Sequence, residues 1–238
     1  MKSDKTGEIA QEIDIEEHSK KRKVVVPGEV IVSGDDYLPS EGTRREGKDI
    51  LASRFGLAEE LGRVVKVIAV TGAFIPRRGN VVIGRVVDIT FNGWLVDIDC
   101  ASSSFLPIDE SPRFISKNEM DQFLAIGDIL VAKIWGVKSK GIDLSLQGGK
   151  GLGKLEGGFI FRITPNRVPR VIGKEGSMVA LIKEKTGCSI TVGQNGWVWL
   201  KGSSVDAEIK ARKAVEFVAD NVTMEGLTEK VEEMFNGS

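Results

Sequence analysis

Twenty-eight glycines are spread along 238 residues, and they fall between short runs of Val, Ile and Phe rather than in one low-complexity tract. Short β-branched and aromatic runs stopped by Gly, Pro or Asn suit the strands of small β domains, because there is no room in them for long core helices. Val24-Val25-Val26 and Val30-Ile31-Val32 flank Pro27-Gly28 and read as two short strands around a turn. Asp35 to Leu61 is polar and turn-rich, and Val64 to Val70 supplies another strand. The expected divisions are a polar tail, 1–23, and a small β domain, 24–64, that shows no chemistry of its own.

From Asn80 the strand signals lengthen and space evenly: Asn80–Ile89, Trp94–Asp99, Ser104–Ile108, Asp128–Trp135 and Ile142–Leu146. Five short strands at this spacing fit a five-stranded Greek-key OB barrel. The Val-Val-Asp-Ile opening strand, the Phe91-Asn92-Gly93-Trp94 turn, Phe105-Leu106-Pro107-Ile108 and Ile142-Asp143-Leu144-Ser145-Leu146 stand in the order of an S1 RNA-binding domain, which residues 65–147 resemble. An OB face that binds RNA needs stacking aromatics and positive charge. Phe91, Trp94, Phe105, Lys138 and Lys140 are the candidates, with Arg85 and Lys133 around them. Arg77 and Arg78 precede them in a Pro-Gly loop expected to be exposed. Trp94 and Trp135 are equally readable as core.

Gly148 to Lys154 reads as a glycine-rich linker; the register of its glycines does not match a dinucleotide fingerprint. Beyond it, residues 155–222 order themselves as strand (Gly158–Ile163), short helix (Asn166–Ile172), Gly173-Lys174-Glu175-Gly176, helix (Ser177–Lys185), two strands (Cys188–Val192 and Trp197–Lys201) and a helix (Ser204–Asn221) with Val205, Ile209, Val215 and Val218 inward. This order resembles a type I KH domain, whose G-x-x-G loop clamps a single-stranded backbone. The two glycines let the chain approach phosphates, Ser177 is placed as the N-cap of a helix whose N–H groups attract anions, and Lys174 adds a point charge. Arg167 and Arg170 extend the attraction; Glu175 opposes it. The other reading of the same residues is a helix–turn–helix that serves packing alone. Residues 223–238 form a terminal tail or helix with Val231, Met234 and Phe235 at helical spacing.

Charge is distributed rather than excessive. Thirty-three Lys and Arg against thirty-four Asp and Glu leave a net charge of −1, which excludes a polycationic coat protein. Residues 148–185 nevertheless hold eight basic and three acidic side chains. No apolar run approaches the roughly 20 residues of a membrane span, and the charged start lacks the apolar core of a secretory signal. Two cysteines, Cys100 and Cys188, and one histidine, His18, give neither a disulfide framework nor an ordinary zinc site, and the cysteines read as small buried hydrophobes. Asp97 and Asp99 alternate on one strand and read as solvated carboxylates rather than a metal pair. No nucleophile with a base and no phosphate-binding G-x-x-x-x-G-K-S/T is present. Neither catalytic residues, metal nor cofactor is expected.

Gly193-Gln194-Asn195-Gly196 resembles the G-x-N-G signature of exosome cap subunits, in which an S1 domain precedes one KH domain. Taken with Val24–Val32 and the G-x-x-G loop, residues 24–222 resemble the archaeal exosome's RNA-binding cap subunit of the S1 plus KH type, the ribosomal-RNA-processing protein four family. The resemblance implies a non-catalytic, cytoplasmic protein that binds single-stranded RNA and guides it through the pore of a hexameric phosphorolytic ring. Three copies would sit on that ring, their N-terminal domains against it and their S1 domains around the pore. Another cap subunit and a poly(A)-interacting accessory protein are further implied partners. It also implies a structural role for Gly193, Asn195 and Gly196, holding S1 and KH together. An S1/KH transcription or translation factor without an exonuclease partner is the competing reading, and a protein-binding adaptor is the third.

Overall fold

The computed structural model describes residues 23–69, 72–221, 224 and 226–236. The expected tail, with His18, lies outside them except for Lys23, as do Val70, Glu225 and the last two residues. The chain divides after Ala69 into two compact units.

The first unit holds seven strands: β1 (Lys23–Val25), β2 (Val30–Ser33), β3 (Leu38–Pro39), β4 (Thr43–Glu46), β5 (Asp49–Ala52), β6 (Gly56–Leu61) and β7 (Val64–Ala69). They form one sheet of order β1-β6-β7-β3 and another of order β2-β5-β4, around Val25, Ala52, Ala58 and Val67. Two expectations change here. The strands flanking Pro27-Gly28 do not pair with each other: β1 pairs with β6 and β2 with β5. The polar stretch Asp35–Leu61 contains four strands, because β5 supplies the burial that its neighbour Thr43-Arg44-Arg45-Glu46 lacks. β7 pairs with β6 along its whole length, Val64 opposite Leu61 and Ala69 opposite Gly56. The boundary drawn after residue 64 therefore moves beyond Ala69. Glu59, buried in β6, faces Lys66 on β7 at 3.0 Å, so its charge keeps a partner.

The second unit begins with a barrel. β8 (Val81–Thr90), β9 (Gly93–Asp97), β10 (Ser104–Pro107), β11 (Ile129–Lys138) and β12 (Gly141–Ser145) run in the order β12-β10-β9-β8-β11, and the β11–β12 pairing closes it. β10 and β12 are parallel, the other neighbours antiparallel. A short helix, α1 (Met120–Phe123), sits in the β10–β11 excursion and sends Met120 into the barrel core. Trp94 is fully buried there, its Nε1 donating to the Leu124 carbonyl at 3.0 Å. β13 (Gly153–Leu155) then pairs with the start of β11, Leu155 opposite Ile129. Part of the expected linker is thus a sixth strand, since Leu152 and Leu155 have apolar surface to cover.

Next comes β14 (Phe159–Arg162), a 3-10 turn at Pro165–Arg167, α2 (Val168–Ile172), α3 (Ser177–Thr186), β15 (Ser189–Val192), β16 (Trp197–Lys201), α4 (Val205–Asp220) and α5 (Leu227–Asn236). The antiparallel sheet β14-β16-β15 carries the helices, which is the type I KH topology. α4 is capped by the Ser204 hydroxyl, which accepts from Ala207 N–H. Its buried face is Ala211, Ala214, Val215, Val218 and Ala219. Val205 and Ile209 face solvent instead, because the i, i+3, i+4, i+7 series that buries Val215 and Val218 leaves them out of line. α5 buries Leu227 and Val231 in the same core and leaves Met234 more exposed, with Phe235 packed at the edge. Cys188 is buried as expected, whereas Cys100 is half-buried.

Barrel and KH sheet share a small core of Ile83, Val131 and Trp199, edged by Leu152, Leu155 and Trp197. The Gly193–Gly196 turn reaches into it. Asn195 is fully buried, donates through Nδ2 to the carbonyls of Ile83 and Ile98 at 2.8 Å each, and accepts from Ile83 N–H at 3.2 Å. Gln194 N–H donates to the Val81 carbonyl and its Oε1 accepts from Val81 N–H. A Cβ at Gly193 would lie 2.8 Å from Ile83 N, and one at Gly196 2.4 Å from the Ile163 carbonyl oxygen. Arg162 on β14 is ion-paired to Asp99. Asp99 lies past the end of β9 with φ 57° and its N–H bonded to Asp97, so the two carboxylates do not share a strand face. Asn195→Ala leaves two carbonyls and an N–H buried without partners, and should cost about 3 kcal/mol of stability in denaturant unfolding.

Candidate nucleic-acid interface

The chemistry of the KH module gathers where α2 meets α3. Gly173, Glu175 and Gly176 all hold positive φ, at 77°, 53° and 84°. The two glycines are needed for different reasons. A Cβ at Gly173 would lie 2.7 Å from Met178 N, so this residue lets the loop lie against the first turn of α3. Gly176 meets nothing within 4 Å; it supplies the left-handed turn and leaves the surface open. The cap of α3 is Gly176, not Ser177, which is already the first helical residue. Ser177 N–H donates to the Lys174 carbonyl and Gly176 N–H to that of Gly173, so both amides are spent inside the loop. What faces outward is the Lys174 ammonium, with no ion pair among the described residues, and the Ser177 side chain.

The neighbouring arginines are engaged. Arg167 Nη1 is 2.6 Å from Asp220 Oδ1, and Arg170 Nη2 donates to the Met224 carbonyl at 2.8 Å. Arg170, Lys174 and Ser177 still line one side of a cleft of about 380 Å3, whose other side is the start of α5, from Gly226 to Glu229. Glu229 brings a second carboxylate near the loop. The apolar spacing of Val231 and Phe235 signals that helix; its placement beside the G-x-x-G loop has no local signal, since tertiary packing sets it.

On the barrel, the expected residues separate into three places. Leu95, Phe105 and Asp143 lie opposite one another across β9, β10 and β12, alternating with buried Trp94, Leu106 and Ile142. Phe105 is half-buried because its ring lies over Gly93, where a Cβ would come within 2.6 Å of it. Lys138 joins this row through a 2.6 Å ion pair with Asp143, and Lys140 is exposed in the following turn. Phe91, 78% exposed at the β8–β9 turn, has Lys117 Nζ 5.6 Å from its ring. Arg78 stacks over Trp135 at 5.0 Å; Arg77 is exposed beside it. Trp94 is withdrawn from the surface: the residue after a β-turn glycine points into the barrel, and its indole N–H is satisfied there.

Electrostatics tie the barrel to its sixth strand. Burial raises the Asp128 carboxyl, but hydrogen bonds from Lys154, 2.6 Å away, and from Ala125 N–H outweigh it and hold the group below its ordinary value. Among the described residues no group of three or more His, Cys, Asp or Glu could hold a metal ion, and no helix is long and apolar enough to cross a membrane.

Residues 158–206 match the KH domain family profile. The chain is 41% identical to the exosome complex component Rrp4 of Methanothermus fervidus over 90% of its own length and 95% of the relative's. It is 39% identical to that of Thermococcus kodakarensis, over 90% and 85%. The chain belongs to the Rrp4 family. The Nitrosopumilus maritimus member is 36% identical, over 91% and 96% of the two chains. A crystal structure assigned to an exosome complex RNA-binding protein superposes with a TM-score of 0.61 at 30% identity, covering 70% of this chain and 97% of that one. The N-terminal β region, closed barrel and KH module described above are the multidomain architecture expected from the sequence.

Two outcomes check the site. Glu175→Gly removes a left-handed non-glycine residue, strained by about 1 kcal/mol, and a charge that opposes phosphate. Stability in urea should not fall, and affinity for a single-stranded oligoribonucleotide at low salt should rise about five-fold. The lowered Asp128 carboxyl stabilises the fold above the ordinary carboxylate value near 4, and this contribution is lost as pH falls through its depressed value. Asp128→Asn should therefore flatten the acid limb of the pH–stability curve.

Proposed function

We propose that this chain is a non-catalytic RNA-binding cap subunit of an exosome, holding single-stranded RNA and passing it to the pore of a hexameric phosphorolytic 3′–5′ exoribonuclease ring. The observation that carries the reading is the G-x-x-G loop, which stands out between α2 and α3 with Lys174 in no ion pair among the described residues, on the same compact unit as a barrel with exposed Phe91 and half-buried Phe105. The relatives' name as exosome components supports the assembly.

In this reading Gly173, Gly176 and Ser177 admit the backbone, Lys174 attracts a phosphate, and Arg170 reinforces it from α2. Arg167, held by Asp220, chiefly fixes α2. On the barrel, Phe105 and Phe91 offer faces to bases, while Lys138, Lys140, Arg77 and Arg78 steer the strand toward the pore. Three copies would surround that pore with their N-terminal β domains on the ring, in the cytoplasm, alongside another cap subunit and a poly(A)-interacting accessory protein. Gly193, Asn195 and Gly196 keep the two RNA-facing modules in fixed relation.

Lys174→Asp should weaken oligoribonucleotide binding by the full chain several-fold at low salt and leave unfolding nearly unchanged, since the Lys174 side chain is exposed and makes no ion pair among the described residues. Added to ring subunits with phosphate, the wild-type chain should co-purify with them and speed phosphorolysis of RNA. RNA degradation by the purified chain alone, or recovery with RNA polymerase and not with the ring, contradicts the proposal.

A further inference from the structure

Beside the Phe105 row the barrel carries a second polar recess, about 280 Å3, on the outward side of β11 where Lys133 and Trp135 follow one another at alternate positions. Further back on the same face, Val131 is covered by the KH module. Trp135 is not covered: it stays 46% exposed on a sheet surface, an unfavourable place for an indole with no packing duty. The Arg78 guanidinium lies 5.0 Å over it. The main chain next to Arg78 is held beside β11, because Gly79 N–H donates to the Ile134 carbonyl and Ile134 N–H to the Asn80 carbonyl, both at 2.7 Å. Gln147 closes the recess, its Nε2 donating to the carbonyls of Asp109 and Ser111. Glu110 and Ser145 complete the lining, so two cations face one carboxylate.

An indole and a guanidinium in a stack, with an exposed ammonium at the neighbouring alternate position of β11, is the chemistry that receives a nucleobase and its phosphate. We infer that the Arg78–Trp135 pair is a stacking subsite for one nucleotide of single-stranded RNA, with Lys133 holding the adjoining phosphate. The inference rests on the RNA-binding reading above and adds to it a site outside both the Phe105 row and the G-x-x-G loop. The base stacks on the exposed surface of the Arg78–Trp135 pair, and the two main-chain bonds hold the Arg78 segment beside β11 before RNA arrives.

The test is oligoribonucleotide binding by the full chain, with circular dichroism to confirm folding. Trp135→Ala should weaken affinity about 5- to 150-fold, the range of one stacked base, while Trp135→Phe keeps most of the affinity. Lys133→Ala should lower the slope of log affinity against log salt by about 0.7. RNA should quench tryptophan fluorescence in the wild type and far less in Trp135→Phe, since Trp94 and Trp199 are buried and Trp197 is half-buried in the seam with Arg162 over its ring. If Trp135→Ala and Lys133→Ala bind like the wild type while Lys174→Asp binds more weakly, the subsite is overturned and the RNA-binding reading stands. If the wild-type chain binds no RNA, both fall together.

Discussion

The second unit depends on one buried amide. Asn195, a polar side chain in the seam between barrel and KH sheet, reaches both Ile83 and Ile98, and it satisfies three main-chain groups that would otherwise be buried without partners. Apolar contact through Ile83, Val131 and Trp199 gives the seam adhesion but no fixed register; hydrogen bonds to particular atoms of β8 supply that register. The flanking glycines follow from the same approach, since a side chain at Gly193 or Gly196 would strike backbone. Two modules that would separately be small and mobile become one body, and surfaces on both can meet a single strand.

That arrangement matters because neither surface is strongly charged. Several cations are ion-paired within the fold: Arg167 with Asp220, Lys154 with Asp128, Lys138 with Asp143 and Arg162 with Asp99. The other cations are scattered over barrel and KH module rather than gathered in one patch. Each makes a weak, salt-screened contact. In the proposed function such a chain would hold RNA by adding several modest contacts on a rigid frame.

The barrel strands and the KH order were legible because Val- and Ile-rich runs alternate with glycine turns, and the helix of the G-x-x-G loop announces itself through Met178 and Ile182. The first unit was less legible. Thr43-Arg44-Arg45-Glu46 has no apolar alternation, and its strand exists because buried Asp49–Ala52 lies beside it. The assignment of Val65–Ala69 to the barrel domain came from the same cause: a strand's partner is a non-local fact. Trp94 could not be separated from Trp135 by sequence, since both precede or follow glycine on a strand; only the pleat sends one inward and the other out. Val205 and Ile209 were placed inward by counting apolar residues, where alanines form the actual contact face of α4. Arginine positions near the G-x-x-G loop were readable, but not their engagement by Asp220 and the Met224 carbonyl.

The most direct measurement is hydrogen exchange of the full chain with and without a single-stranded oligoribonucleotide. The account expects slowed exchange at residues 173–178 and along the outward side of the barrel strands in the same complex, with the Asn195–Ile83 seam slow in both states. Protection confined to the first unit, or none anywhere at saturating RNA, would contradict it.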